Sequence, residues 1–425
     1  MSLEEIDAAY TIVVGLNPAL QKQFILTEST PSLIPGNVHR AAEIHREGVG
    51  GKGQDVLLAL ACLSSSAATT TMQADDKHSR AVIAQFLGQG AEGDIVHSLL
   101  KDYGMDESLT VRVESRLRTC TTIVGSSEAT ELVEPSGIIT KQEIEKLYHM
   151  VEIMNIDMGE DRSDSVRGLC FMGSMPKGCP EDLYAKLFKK FVADRSESAK
   201  AKEEICCVVD TTVGLENLLQ QMAECAEIEG VDKNMLKINL SELCKLTNIS
   251  TSESKSGSMD DVQKAILQLF QKVGEEDMRT ALKYITITDG EHPAHLIRLG
   301  NNETKEDVMY RIKIPDLLSS TSEGETLLYP IGAGDAVTAG TLASWEFMLR
   351  LKQNWNGVSR LDERIRKKLE GGKYDDEVVA AVAFGLACGS ASCFKKENSV
   401  FDTEDALRLF EQIEVHRILR SGPIG

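Results

Sequence analysis

The chain has 425 residues, 42% of them hydrophobic and 26% charged, which suits a globular protein with a large core in one domain or two. Its net charge of −20 argues against a nucleic-acid binder, which needs a basic stripe, and no apolar run approaches membrane-spanning length. Ten cysteines lie scattered, mostly in apolar runs and with no C-x-x-C pair, so buried reduced thiols are expected rather than a disulfide framework or a zinc or redox site.

The predicted elements begin with a buried strand at 10–16. Residues 21–45 then alternate, as in Val38, Arg40, Ala42 and Ile44, the period of half-exposed antiparallel strands. A helix is predicted at 55–63 and a second buried strand at 67–72. Alternation returns over 109–133, at Val111 and Val113. Both alternating regions interrupt an α/β pattern, so they are expected to combine into a small covering sheet. Buried strands follow at 168–173, 205–210 and 284–288, separated by helical patterns at 182–192, 215–226 and 262–273. Strands apolar on both faces, with helices between them, predict an α/β fold with a mostly parallel sheet. The polar stretches 159–167, 195–204 and 250–261 read as surface insertions, as does the more basic 353–373. No charged-then-apolar leader opens the chain, so a cytoplasmic location is expected, with a removed organelle transit peptide left open.

The densest chemical signal is Pro330-Ile331-Gly332-Ala333-Gly334-Asp335, followed by small and apolar residues to Gly340. It reads as a Gly-rich turn opening into a helix. Backbone N–H groups and the positive end of the helix dipole then converge on one spot and stabilise an anion. A carboxylate there repels that anion unless it has a task. Taking the proton from a hydroxyl that attacks a phosphoryl group is such a task.

Gly48-Val49-Gly50-Gly51-Lys52-Gly53 formally matches the dinucleotide fingerprint, with Asp75 at the spacing of a ribose-binding acid. The stretch before it is alternating and polar, where that fingerprint needs a buried strand. It is not a P-loop either, because Gln54 stands where Ser or Thr is required. The glycines allow close backbone approach, and Lys52 supplies a cation. Asn239 and Glu242, three apart at a strand end, have two readings: oxygen ligands for a hydrated Mg²⁺, or a capping box. Arg118 opens a predicted strand of the covering sheet. Ser174 and Thr288-Asp289-Gly290 follow buried strands, at the sheet edge where open α/β folds bind ligands. His39, His45, His292 and His295 lack metal-ligand spacing and are expected at the surface.

In this order the motifs resemble the ribokinase-like (PfkB) family of carbohydrate kinases, nearest its 1-phosphofructokinase and tagatose-6-phosphate kinase branch. The likeness runs over nearly the whole chain. It is carried by Asn17-Pro18-Ala19-Leu20, Gly36-Asn37-Val38, Gly50-Gly51-Lys52-Gly53, Arg118-Thr119, Gly173-Ser174-Met175-Pro176, Asp210-Thr211, Lys237-Ile238-Asn239 with Glu242, Gly332-Ala333-Gly334-Asp335 and 384–391.

The resemblance implies a ribokinase-like α/β core (1–17, 46–108 and 136–425) and a β-sheet lid (18–45 and 109–135) that also offers a homodimer interface. It implies ATP and Mg²⁺ as cofactors. Asp335 is then the base, with the N–H groups of Gly332, Ala333 and Gly334 as the anion hole. Asn17, Gln21, Gly50, Gly51, Lys52, Asp55, Arg118 and Ser174 face the sugar. Lys237, Asn239, Thr288, Gly290, Leu386, Ser390 and Asn398 serve the nucleotide, and Asn239 and Glu242 organise the metal. The expected partner is a small sugar or sugar phosphate, with no nucleic acid and no membrane.

Three positions depart from the branch. Gln21 stands where Asp is usual, Asp55 where Asn is usual, and Tyr329 where Asp or Asn often precedes the glycine turn. The first two positions contact sugar hydroxyls in the family, so an amide and an acid have exchanged places. A compensating swap and a changed substrate both fit. The expected activity is phosphoryl transfer from ATP to a ketose phosphate of the fructose 1-phosphate or tagatose 6-phosphate type. The alternatives are a kinase of a free sugar or nucleoside on the same fold, and a catalytically silent binding protein.

Overall fold

The computed structural model describes residues 9–27, 32–64, 80–125, 129–160, 165–193, 204–249, 259–303, 306–317, 328–352, 363–371 and 376–418, with Leu361 and Tyr374. The first half runs β1 (Ala9–Val14), β2 (Ala19–Leu26), β3 (Ala41–Gly50), α1 (Lys52–Ser64), β4 (Arg80–Gln89), α2 (Ala91–Asp102), β5 (Asp106–Arg116), β6 (Arg118–Val124), β7 (Ala129–Val133) and α3 (Lys141–Glu160). Next come β8 (Ser165–Met172), α4 (Leu183–Ala193), β9 (Cys206–Asp210), α5 (Leu215–Glu224), β10 (Lys233–Asn239), α6 (Leu240–Thr247), α7 (Met259–Val273) and α8 (Glu275–Ala281). The chain continues through β11 (Tyr284–Asp289), β12 (His292–Arg298), β13 (Val308–Lys313), α9 (Ala333–Lys352), α10 (Glu363–Glu370), α11 (Glu377–Ser392), α12 (Thr403–Gln412) and β14 (Glu414–Ile418).

A ten-stranded sheet carries the order β14-β13-β12-β11-β10-β9-β8-β1-β4-β5. It is parallel from β11 to β5 and antiparallel from β11 outward to β14. Along β1, Ile12 and Val14 enter one apolar layer and Val13 the other, so the strand is buried on both faces. Phe171 of β8 packs against Phe188 of α4 on the first side. Ala336, Val337 and Trp345 of α9 fill the second side. Each fully buried side chain of this size contributes roughly 1.5–3 kcal/mol before the entropy cost of ordering it. The chain winds from β1 to β4 in one direction and from β8 to β9 in the other. The β1/β8 boundary is therefore the switch point, where a crevice opens beyond the carboxyl ends of the strands.

The small sheet has the order β3-β2-β6-β7, with β2 and β6 parallel and both outer pairs antiparallel. Its expected boundaries need correction. Residues 109–116 belong to β5, the parallel edge strand of the large sheet. Leu109, Val111 and Val113 are buried in the same cluster as Ile144, Leu147 and Val151 of α3, while the residues between them are more open, and this one-sided burial produces the alternation. At the other boundary, β3 reaches Gly50 rather than stopping at 45.

Two further corrections follow from burial. His295, expected at the surface, is 6% exposed on β12, where burial pulls its pKa down. Arg167, in a stretch read as insertion, is buried in β8. The predicted strand at 67–72 and Asp75 lie outside the described residues.

Candidate active site

The switch point assembles the site. At the end of β1, Asn17 donates its side-chain amide to Ser174 Oγ beyond β8 (2.9 Å). A cleft of about 230 Å³ opens there, lined by Asn17, Lys52, Arg118, Ser174, Thr211 and Glu242. Lys52 begins α1. The preceding glycines, Gly48 and Gly50, end β3 of the small sheet, not a strand of the parallel sheet, so the dinucleotide fingerprint is only formal.

A chain of opposite charges crosses the cleft floor. Lys52 Nζ donates to Asp210 Oδ1 and to Glu242 Oε1, both at 2.9 Å. Lys237 Nζ donates to Asp210 Oδ2 (2.5 Å) and to the Gly334 carbonyl (2.9 Å). Thr338 Oγ1 on α9 adds a bond to Asp210 Oδ2 (3.1 Å). Burial alone would raise the Asp210 pKa, but the charges and hydrogen bonds of Lys237 and Lys52 overcome it and hold the group below the usual carboxylate range. For Lys52, burial favours the neutral amine, and Asp210, Asp335 and Glu242 more than offset it, so the ammonium persists.

Asp335 lies in the first turn of α9 and is 8% exposed. Burial pushes its pKa up to about 7, reinforced by Asp210 and Glu242 and opposed by Lys52 and Lys237. That is the range suited to a general base at neutral pH. The turn before it depends on Gly332, at φ +81°, where an added Cβ would stand 2.5 Å from Ser399 Oγ. Ser399 Oγ in turn donates to the Gly332 carbonyl (2.8 Å). Of the three N–H groups expected to form the anion hole, that of Ala333 is turned onto Pro330 O (3.2 Å).

The other predicted residues divide into groups. Arg118 donates to the carbonyls of Asn17 (2.8 Å) and Pro18 (3.3 Å), so part of its fork is engaged internally. Gln21 and Asp55 are buried, with Gln21 Nε2 bonded to Thr122 Oγ1 (2.7 Å) and Gln21 Cβ close to Gly50. Gly51, at φ +111°, joins β3 to α1. Lys237 is 4% exposed beneath the glycine turn, so its visible task is to hold Asp210 and the turn. Asn239 caps α6: its Oδ1 accepts from Glu242 N (2.8 Å), and Glu242 Oε2 accepts from Asn239 N (3.4 Å). The capping-box reading is therefore realised, which still leaves Glu242 partly open to the cleft. Thr288 pairs with Asn239 across β11 and β10, and Gly290 follows at φ +57°. Leu386 and Ser390 are buried on α11. Asn398 abuts the glycine turn, 3.2 Å from a Cβ built on Gly332.

Asp210, Thr338 and Ser399 were not among the predicted site residues. A signal for the first existed. Asp210 and Lys237 each stand near the end of an otherwise apolar run, on neighbouring parallel strands, one step past the Val209–Leu236 pair.

The architecture first defines a class: this is the ribokinase-like fold. No family model matches the sequence. Among particular solved structures, phosphofructokinase-2 of Escherichia coli in complex with substrates and products is 20% identical, with a TM-score of 0.59 over 95% of this chain and 99% of that one. A "possible 1-phosphofructokinase" of Thermotoga maritima is 18% identical, with a TM-score of 0.60 over 96% and 100%. Ribokinase of Giardia lamblia is 13% identical, with a TM-score of 0.60 over 94% and 99%.

Proposed function

We propose that the chain is a kinase that moves the γ-phosphoryl group of ATP to a hydroxyl of a small sugar, with a ketose phosphate as the first candidate acceptor. The observation that carries this reading is Asp335, buried in the first turn of α9 behind a turn that only glycine fits at 332, with Lys52 and Lys237 beside it. Asp335 removes the hydroxyl proton, the freed oxygen attacks the γ-phosphorus, and ADP leaves with the electrons of the broken P–O bond. The N–H groups of the glycine turn and Lys52 counter the charge that develops on the phosphoryl oxygens. The small sheet, reaching the cleft through Arg118, acts as a lid that excludes water, and its outer edge serves as a homodimer interface.

Glu242 and Asn239 would hold a Mg²⁺ mostly through water and nucleotide phosphates: the Glu242 side chain is 29% exposed at the cleft, with its oxygens accepting from Lys52 Nζ and Asn239 N, and the Asn239 amide oxygen stands at a strand end. Such an ion supplies charge neutralisation on the phosphates. Thr288, Gly290, Leu386, Ser390 and Asn398 border the nucleotide side.

One observation favours a second acceptor. Lys52 already holds two carboxylates and Arg118 gives Nε and Nη2 to two carbonyls, so both cations are partly engaged before a substrate phosphate arrives. An unphosphorylated sugar needs no such anchor. An ADP-release assay over free sugars and sugar phosphates separates the readings. Turnover of phosphorylated ketoses supports the first, turnover of free sugars alone supports the second, and none with any acceptor overturns the kinase.

A further inference from the structure

A second cleft opens at the opposite edge of the large sheet. Its volume is about 310 Å³, larger than the cleft beside Lys52 and within the size range of small-molecule sites. Lys233 begins β10, Lys283 and Tyr284 stand where β11 begins, and Glu204 lies just before β9, so this cleft sits at the amino ends of three parallel strands. Asp210, Lys237 and Thr288 lie toward the carboxyl ends of the same strands. A seven-residue strand such as β10 spans roughly 20 Å, so the two clefts are separate.

The charge of the lining runs against that of the chain. Four cations, Lys233, Lys283, Arg298 and Lys352, meet two acids, Glu204 and Glu377, in a protein with 46 basic and 66 acidic residues. Three of the cations have ion pairs: Lys233 with Glu204 (3.5 Å) and Asp232 (3.1 Å), Arg298 with Asp376 (3.2 Å) and Lys352 with Glu377 (2.5 Å). These three cationic side chains are 27–64% exposed, and pairs so open to water contribute about 0–1 kcal/mol, so an anionic ligand competes with them at little cost. Lys283 differs. Its backbone is fixed, since its N–H donates to the Asn234 carbonyl and its carbonyl accepts from Leu299 N, both at 2.9 Å. Its ammonium has no ion-pair partner among the described residues.

The floor of the cleft is aromatic. Tyr284 and Trp345 meet edge to face, with ring centroids 5.6 Å apart and planes at 88°, and Leu299 lines the cleft beside them. Trp345, on α9, is fully buried, and its Nε1–H has no hydrogen-bond partner. Apolar surface ringed by cations suits a ligand with an anionic head and an apolar body; a bare inorganic anion would leave the floor uncovered.

We propose that this cleft binds a small organic anion, whose carboxylate or phosphate oxygens accept from the Lys283 ammonium, with Lys233, Arg298 and Lys352 around it, and whose body covers Tyr284 and Leu299. The site stands apart from phosphoryl transfer and does not depend on the kinase reading.

The chain has two tryptophans, Trp345 and Trp355, so Trp355→Phe leaves the floor indole as the sole tryptophan fluorophore. Phenyl phosphate, benzoate and inorganic phosphate are titrated into this full-length variant, with benzyl alcohol as the uncharged ring. The expected result is a saturable change in Trp345 emission with phenyl phosphate or benzoate, the tighter of the two identifying the head group. Inorganic phosphate is expected to bind about 10-fold more weakly or worse, for want of a body to bury, and benzyl alcohol not at all. Lys283→Ala is expected to weaken binding about 10-fold, Lys283→Glu to abolish it, and Lys52→Ala to leave it unchanged. A response to neither organic anion, full affinity in Lys283→Glu, or benzyl alcohol binding as tightly as the anions overturns the proposal. So does loss of binding in Lys52→Ala alone, which places the anion in the catalytic cleft, and inorganic phosphate binding as tightly as phenyl phosphate removes the organic body. Should Lys283→Glu fail to fold, Lys352→Glu, at the exposed end of α9, carries the same test. The titration needs no turnover, so a chain that phosphorylates nothing leaves its result standing.

Discussion

Asp335 is the base of the proposed reaction and carries a cost in stability. Folding lifts its pKa from the ordinary 3.8 to about 7, because burial disfavours the charged form. Between those values the native state keeps a proton that the unfolded chain has released, so stability falls as pH climbs from about 4 to about 7. Asp335→Asn removes that penalty. It should be more stable than wild type at pH 8 by on the order of 1–4 kcal/mol, and no more stable at pH 4. Denaturant melts at the two pH values check this. The same variant should lower kcat by about 10²–10⁴-fold, and wild-type activity should rise with pH through about 7 as the base ionises. A variant that keeps its rate removes Asp335 as the base. The position of this residue was legible because turn, helix start and carboxylate are adjacent in sequence. The counter-charges were not: Lys237 and Asp210 are 27 positions apart, and Lys52 and Asp210 are 158 apart. The register of β9 and β10 brings Asp210 and Lys237 together, and the start of α1 brings Lys52 to them.

At the scale of elements, the small sheet carries the sharpest test. Its edge strand β7 is exposed along its whole length, with Leu132 58% and Val133 51% exposed. Unpaired apolar edges of this kind invite association with another chain. If the lid sheet forms a homodimer, a double substitution of Leu132 and Val133 to Glu should yield monomers in sedimentation, with the fold intact by circular dichroism. A dimer that survives places the interface elsewhere. The regions read as alternating, 21–45 and 109–133, take in most of β2, part of β3, and β6 and β7, but alternation could not assign β5 to its sheet. A strand covered on one face shows the same period whether its neighbours run parallel or antiparallel. β4 was missed because Ala84 and Gln85 interrupt its apolar run, although Gln85 is fully buried and bonded to Gln54 (2.8 Å) and Thr110 (3.0 Å). The antiparallel extension β12–β14 was missed as well, since His292-Pro293 reads as a turn while β12 begins there.

Across the whole molecule, α9 links the catalytic turn to the second core layer. It meets α11 at backbone distance: a Cβ on Gly385 would stand 2.1 Å from Thr341 Oγ1 and 2.5 Å from Val337 O. Gly385→Ala cannot be absorbed without moving one helix. Overpacking of this kind costs roughly 1–3 kcal/mol. Because α11 also carries Leu386 and Ser390 beside the proposed nucleotide side, the variant should both melt earlier and show a raised KM for ATP. A lower melting temperature with unchanged KM would mean that the helix contact supports the fold alone. The general architecture was readable from strands apolar on both faces. The contact between these two helices was not, because a glycine in a helix looks the same whether it faces solvent or another backbone.

The charge chain on the cleft floor changes what an incoming substrate encounters. Lys52 is already paired with Asp210 and Glu242. A phosphate that enters cannot simply be captured by a bare cation. If the substrate carries a phosphate at Lys52, it competes with the resident carboxylates, and Glu242 is the more exposed of the two. An acceptor phosphate at Lys52 would then loosen Glu242, which ties the availability of the proposed metal-organising carboxylate to occupancy of the cleft.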